Sequence, residues 1–293
     1  MYKKLEDLPI NNQEKLKELN TFKSYINSDL KSLKIETYFQ VYDEIFEKFT
    51  NKKITFVEVG IFNGGSLKMW KNYFGDNARI IGIDLNPKAK ELEKFGFEIF
   101  IGSQSSENFW DNFYNKVGNV DIVLDDGGHQ NHQQIITAAK SIPHINDGGL
   151  LVTEDIHTSY LKKFGNPSKY SFVNYTKKKI DEINYRFPEF SNKKNVEKKI
   201  FSISFYESIV VFNINSKKSQ IPHYLINNDN NFFKDDFEDK SFSEFFPKIQ
   251  KFIDKKIFFI RKIPILKNLV RILFYKKNVF IKFKEYLILK KFF

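Results

Sequence analysis

Two short acidic segments, Asp125-Asp126-Gly127-Gly128-His129 and Glu154-Asp155, hold the residue types best suited to chemistry in this chain. Each follows a short apolar run, VDIVL before the first and GLLVT before the second. Runs of this kind are read as buried strands, and adjacent parallel strands bring their carboxyl ends together. Asp126, Glu154 and Asp155 then converge. Three hard oxygen ligands suit Mg²⁺, Mn²⁺ or Ca²⁺ far better than zinc. Carboxylates massed at one sheet edge are costly unless a cation compensates them. The plainer alternative is that one or two of them cap helices. His129 stands three residues beyond Asp126 and can face the same cavity as a general base, whereas an isolated histidine would be structural.

A second constellation lies upstream. Glu58-Val-Gly60-Ile-Phe-Asn-Gly64-Gly65-Ser66 runs from a strand into a helix. Glycines at such a turn let the backbone approach a ligand closely and aim amide N–H groups at it. The spacing is not the dinucleotide fingerprint, because Phe62 stands where its second glycine would be. Asp84 closes the next strand, IIGIDL, where a carboxylate can accept hydrogen bonds from ribose hydroxyls; its alternative is a helix cap before Pro87. Gly102-Ser103-Gln104-Ser105 supplies a third turn and an amide able to contact adenine, with Ser105 capping the next helix as an equal alternative.

The elements that must position these residues follow a strand-then-helix rhythm from Ile54 onward. ITFVEVG, ARIIGIDL, FEIFIG, VDIVLDD and GLLVTED are short apolar or β-branched runs, separated by helical stretches near 64–74, 87–95, 106–117 and 130–142. After a helix near 168–186, KIFSISFY and SIVVFNI read as a closing antiparallel pair. The expected fold is α/β, a doubly wound, mostly parallel sheet of seven strands with its site at the strands' carboxyl ends. Residues 1–50 read as an N-terminal helical segment, 51–215 as the sheet domain, 216–250 as a polar and aromatic connector, and 251–293 as a basic helical tail.

VEVGIFNGGSLKMW, GIDLNP, IGSQS, DDGGH and TEDIHTSY, taken in this order, resemble the metal-dependent sugar O-methyltransferases related to the mycinamicin and macrocin enzymes. The cephalosporin hydroxylase family is a more distant relative. The resemblance covers about residues 54–186 and implies a Rossmann-like class I S-adenosylmethionine-dependent methyltransferase. It implies Mg²⁺ or Mn²⁺ on Asp126, Glu154 and Asp155, and His129 as the catalytic base beside Asp126. The methyl donor is then held by Glu58, Gly60, Gly64, Ser66, Asp84, Gln104 and Asp125. His157, Thr158 and Tyr160 fall on the rim as candidate substrate contacts, with a structural loop as the alternative. One departure is Gly128, where the family usually has Ser. Residues 1–50 and the basic tail fall outside the match, so substrate identity does not carry over; the leading reading for the acceptor is a carbohydrate, either a nucleotide-sugar or a surface glycan such as capsule or lipopolysaccharide.

Composition sets the remaining bounds. The chain has 293 residues, 41% of them hydrophobic, enough for one domain with an appendage. It has no Cys, so disulfides, thiolate metal sites and Cys nucleophiles are excluded. The N-terminus lacks the apolar run of a signal peptide, and no charge-free apolar stretch reaches about eighteen residues. These features point to the cytoplasm.

The net charge of +11 is localised. Residues 251–293 carry thirteen basic and two acidic residues, which leaves 34 of each sign in positions 1–250. That tail interleaves apolar and basic side chains, as an interfacial helix on anionic lipid would, at the inner membrane face. Packing on the domain or on a second subunit is the alternative, and the N-terminal helices offer a homo-oligomer interface. Nucleic-acid binding, and with it an RNA methyltransferase, is disfavoured because the body is neutral. A catalytically inactive, membrane-associated partner in glycan assembly is the reading from a different class.

Overall fold

The computed structural model describes residues 4–164, 169–190, 196–228 and Lys290. The chain divides into two compact units, Met1–Tyr224 and Leu225–Phe293, and every element named below belongs to the first. The basic tail at 251–293, apart from Lys290, and most of the expected connector lie outside the described residues.

Three helices precede the sheet: α1 (Ile10–Glu18), α2 (Asn20–Ile26) and α3 (Tyr38–Phe46). The sheet domain then runs β1 (Thr55–Val59), α4 (Gly65–Phe74), β2 (Arg79–Asp84), β3 (Glu98–Ile101), α5 (Glu107–Val117), β4 (Val120–Asp125), α6 (Asn131–Ser141) and β5 (Ile145–Thr153). α7 (Phe172–Asn184), β6 (Ile200–Tyr206) and β7 (Ile209–Ile214) complete it. The strand order is β3-β2-β1-β4-β5-β7-β6. Five strands are parallel, and β7 runs antiparallel between β5 and β6. The expected seven-stranded, mostly parallel sheet is therefore present.

One expectation needs correction. The N-terminal segment expected at 1–50 is not continuously helical, because Asn27–Thr37 is largely extended or turned. Ser28 and Asp29 compete with helical hydrogen bonding there. The Ser28 hydroxyl reaches the carbonyl of Gly65 at 3.0 Å, so contact with α4 outweighs local propensity. The expected helical stretch at 87–95 is present, from Pro87 to Phe95, wound as 3₁₀ turns. Only Ala89 is buried along it, so little packing enforces an α-helical repeat.

Alternate residues of each strand feed two hydrophobic layers. In β4, Ile122 and Leu124 join one layer and Val123 the other. The layer beneath α3 and α4 is aromatic. Trp70 lies 5.1 to 5.8 Å, ring to ring, from Tyr42, Phe46, Phe56 and Phe74, and all five rings are fully buried. Burying such a side chain contributes ~1.5–3 kcal/mol. This layer clamps α3 to the sheet, and α3 then carries polar groups into the site.

Candidate active site

Strand order reverses between β1 and β4, and the crevice outside the carboxyl ends at such a switch point is where ligands bind in this architecture. Register brings the expected residues to that edge. Val59 pairs with Asp125, and Asp125 pairs with Thr153. Asp126 and the Glu154-Asp155 pair therefore leave the sheet side by side.

The glycine loop lies directly against the acidic segment. Gly60 has φ +83°, and a Cβ there would stand 2.3 Å from the carbonyl oxygen of Asp126. Only glycine permits both that backbone conformation and that approach. Gly64 caps α4 with φ 80°. Asp84 accepts from the amides of Ile61 at 3.1 Å and Asn86 at 2.8 Å, which fastens the loop to the end of β2. The following 3₁₀ turn is capped by Asn86, not by Asp84. Likewise Ser106, rather than Ser105, caps α5.

Glu58 is fully buried and accepts from the Ser66 hydroxyl at 2.8 Å. Burial pushes its carboxyl up to about 7. The Ser66 hydroxyl is thus committed to Glu58. Gln104 is also committed: its amide donates to Asp125 Oδ1 at 2.9 Å and Thr137 Oγ1 at 3.1 Å, and its carbonyl accepts from Gly128 N at 2.8 Å. It staples the DDGGH loop rather than presenting a free amide. Asp125 is 1% exposed, and burial pushes it up to about 6. Its Oδ2 accepts no hydrogen bond from the described residues.

At the centre, one ligand atom each from Asp126, His129 and Asp155 lie within 4.8 Å of one another. His129 Nε2 is 3.4 Å from Asp155 Oδ2, and its Nδ1 has no hydrogen-bond partner among the described residues. Both residues have left-handed backbones, His129 at φ 54° and Asp155 at φ 55°. Such conformations cost ~1–3 kcal/mol each and persist where surrounding structure over-determines them. Thr158 supplies part of that constraint, its hydroxyl bonding to the carbonyls of His129 at 2.9 Å and Asp155 at 2.8 Å. Of the rim residues, His157 Nδ1 meets the Ser208 hydroxyl at 2.6 Å, and Tyr160 is largely exposed.

Glu154 lies deeper, 1% exposed. Burial first, and then the charge of Asp126, raises its carboxyl well above the ordinary range. Its partners come from the N-terminal segment. Tyr42 donates to it at 2.5 Å, Tyr38 donates to Asp155 at 2.6 Å, and the Lys34 ammonium sits between Asp126 and Glu154. Burial alone would lower the Lys34 pKa, but the charges of Asp126, Glu154 and Glu58 together hold it well above the usual lysine value. Sequence reasoning singled out none of these three residues. The spacing of Tyr38 and Tyr42, four apart in an amphipathic run, was the available signal, since it places both hydroxyls on one helix face.

The donor set fits a hard divalent cation. Asp126 and Glu154 already converge on a positively charged group in the form of the Lys34 ammonium, at 2.7 and 3.1 Å. Four carboxylates, those of Glu58, Asp126, Glu154 and Asp155, meet here, and among the described residues one ammonium, that of Lys34, lies between them.

No protein-family model matches the chain. It is 34% identical over 131 residues to the mycinamicin VI 2''-O-methyltransferase of Micromonospora griseorubida, covering 42% of this chain and 32% of that protein. It is 33% identical over 137 residues to the 8-demethyl-8-alpha-L-rhamnosyl tetracenomycin-C 2'-O-methyltransferase of Streptomyces olivaceus, covering 44% and 36%. The solved MycE methyltransferase of the mycinamycin pathway, in complex with Mg, SAH and mycinamycin VI, superposes with a TM-score of 0.60 at 26% identity. That match covers 73% of this chain and 57% of MycE. The matched region spans only about a third of the length of the two curated relatives. The chain has the class I S-adenosylmethionine methyltransferase fold and is similar, across its sheet domain, to sugar O-methyltransferases.

Proposed function

We propose that the chain is an S-adenosylmethionine-dependent O-methyltransferase acting on a sugar hydroxyl of a carbohydrate or nucleotide-sugar. The observation that carries this reading is the convergence of Asp126, His129 and Asp155 beside the Gly60 loop, at the switch point of the sheet. Asp126, Glu154 and Asp155 would hold Mg²⁺ or Mn²⁺. Bound there, such an ion acts as a Lewis acid that lowers the pKa of a coordinated hydroxyl.

The chain's own residues do the rest. The Gly60 and Gly64 turns let the donor approach the backbone closely, and Asp84 offers carboxylate oxygens to ribose hydroxyls at the end of β2. His129 accepts the proton of the acceptor hydroxyl. Asp155, 3.4 Å from Nε2, stabilises the imidazolium that results. The oxygen then attacks the donor's methyl carbon, the C–S bond breaks, and S-adenosylhomocysteine leaves as a neutral thioether. Gln104 and Thr158 act on positions rather than protons, by fixing the loops that carry Asp126, His129 and Asp155.

Transfer of labelled methyl from S-adenosylmethionine to a panel of sugar nucleotides and glycosides tests the reading. Transfer should be lost on chelation and return with Mg²⁺. Full activity in chelator would remove the metal from the account, and transfer to RNA alone would replace the acceptor class. The 251–293 tail, by its alternation of basic and apolar residues, is proposed to hold the enzyme at an anionic membrane. Sedimentation with phosphatidylglycerol vesicles tests that, and failure to co-sediment at low salt would refute it.

A further inference from the structure

Lys34 has no role in the chemistry above, yet it lies at the centre of the site. It comes from the extended segment between α2 and α3, and its side chain is 1% exposed. Its Nζ stands 2.7 Å from Asp126 Oδ2, 3.1 and 3.2 Å from the two oxygens of Glu154, and 3.6 Å from Glu58 Oε1. Three carboxylates from the ends of β1, β4 and β5 share this one ammonium. Among the described residues no other lysine or arginine forms an ion pair with them.

A buried carboxylate cluster is stable only with a compensating cation. Two of the carboxylates that Lys34 bridges, Asp126 and Glu154, are those assigned to the divalent ion. An oxygen–metal distance of about 2.1 Å places an ion in the space between these oxygens, which the ammonium nitrogen now fills. We propose that Lys34 is a tethered counter-ion of the metal-free site, and that a divalent ion displaces its ammonium from between Asp126 and Glu154.

The segment carrying Lys34 packs on the start of α4, where a Cβ on Gly65 would stand 2.4 Å from the carbonyl oxygen of Leu30 and 2.7 Å from that of Lys31. This inference rests on the metal reading given above.

The test uses the full chain and Mn²⁺ as probe. In calorimetry, Lys34→Met should bind Mn²⁺ at least tenfold more tightly than the wild type, and Lys34→Arg should not. Weaker Mn²⁺ binding by Lys34→Met would mean that Lys34 supports the metal, and would overturn the proposal. A second measurement needs no variant: amine-reactive labelling of the wild type, read by mass spectrometry. Lys34 should be protected without metal and labelled at Mn²⁺ saturation. Protection that persists while Mn²⁺ binds overturns the displacement but leaves the metal site standing. Absence of Mn²⁺ binding in wild type and variants alike overturns both.

Discussion

His129 Nε2 lies 3.4 Å from Asp155 Oδ2, and both residues hold left-handed backbones at φ 54° and 55°. Neither is glycine, so the fold keeps two strained residues facing each other at the ends of adjacent strands. Thr158 bonds to both carbonyls, which locks the pair at the cost of local stability.

Replacing His129 therefore separates stability from activity. His129→Gly should raise the melting temperature by ~2–4 °C, as relief of about 1 kcal/mol does in a domain of this size. The same variant should lose ~10²–10⁴-fold in turnover, the usual contribution of a positioned base. S-adenosylhomocysteine affinity should change little. Thermal melts, single-turnover kinetics and calorimetry on one preparation check all three, and wild-type turnover would remove His129 from the chemistry.

Gly60→Ala should be severe in a different way. The added methyl meets backbone, the Asp126 carbonyl oxygen at 2.3 Å and Gly127 Cα at 2.7 Å, so no side chain can give way. With a positive φ as well, a loss of ~2–4 kcal/mol in chemical denaturation is expected, together with loss of donor binding. Gly96→Ala, where a Cβ meets nothing within 4 Å at a similar φ of +86°, is the control for backbone strain alone and should cost ~1 kcal/mol.

The buried acids make stability depend on pH. Asp125 is raised from 3.8 to about 6, and Glu58 from 4.5 to about 7, in both cases chiefly by burial. Between each pair of values the folded protein holds the proton and the unfolded chain does not. The contribution of these two groups to stability thus falls as pH rises, first through about 4 to 6 and then to about 7. Asp125→Asn removes the first part. Its carbonyl can keep the bonds now made to Oδ1, and its amide replaces the unpartnered Oδ2. Denaturation at pH 8 should show the variant ~1–3 kcal/mol more stable than wild type, with the gap closing by pH 4. An equal gap at both pH values would contradict the assignment.

Much of this site was legible because its residues sit where strand periodicity stops. EVG, IDL, LDDGGH and TED each end an apolar run, and parallel register then brings the ends together without further information. Committed side chains were harder to foresee. Gln104 and Ser66 turned out to brace Asp125 and Glu58, since a sequence gives no direction to an amide or hydroxyl at a loop.

Lys34, Tyr38 and Tyr42 were missed for another reason. They approach from about 92 to 120 residues away in sequence, and their placement depends on an aromatic layer, not on a motif. The helix break at 27–37 was hidden likewise, because it is enforced by contact with Gly65.

The central claim is the methyl-donor site, and calorimetric titration of S-adenosylmethionine and S-adenosylhomocysteine, with and without Mg²⁺, tests it most directly. The account predicts saturable one-to-one binding of both, weakened at least tenfold by Gly60→Ala. No binding of either ligand under any metal condition would contradict it, and would leave a methyltransferase fold without its donor.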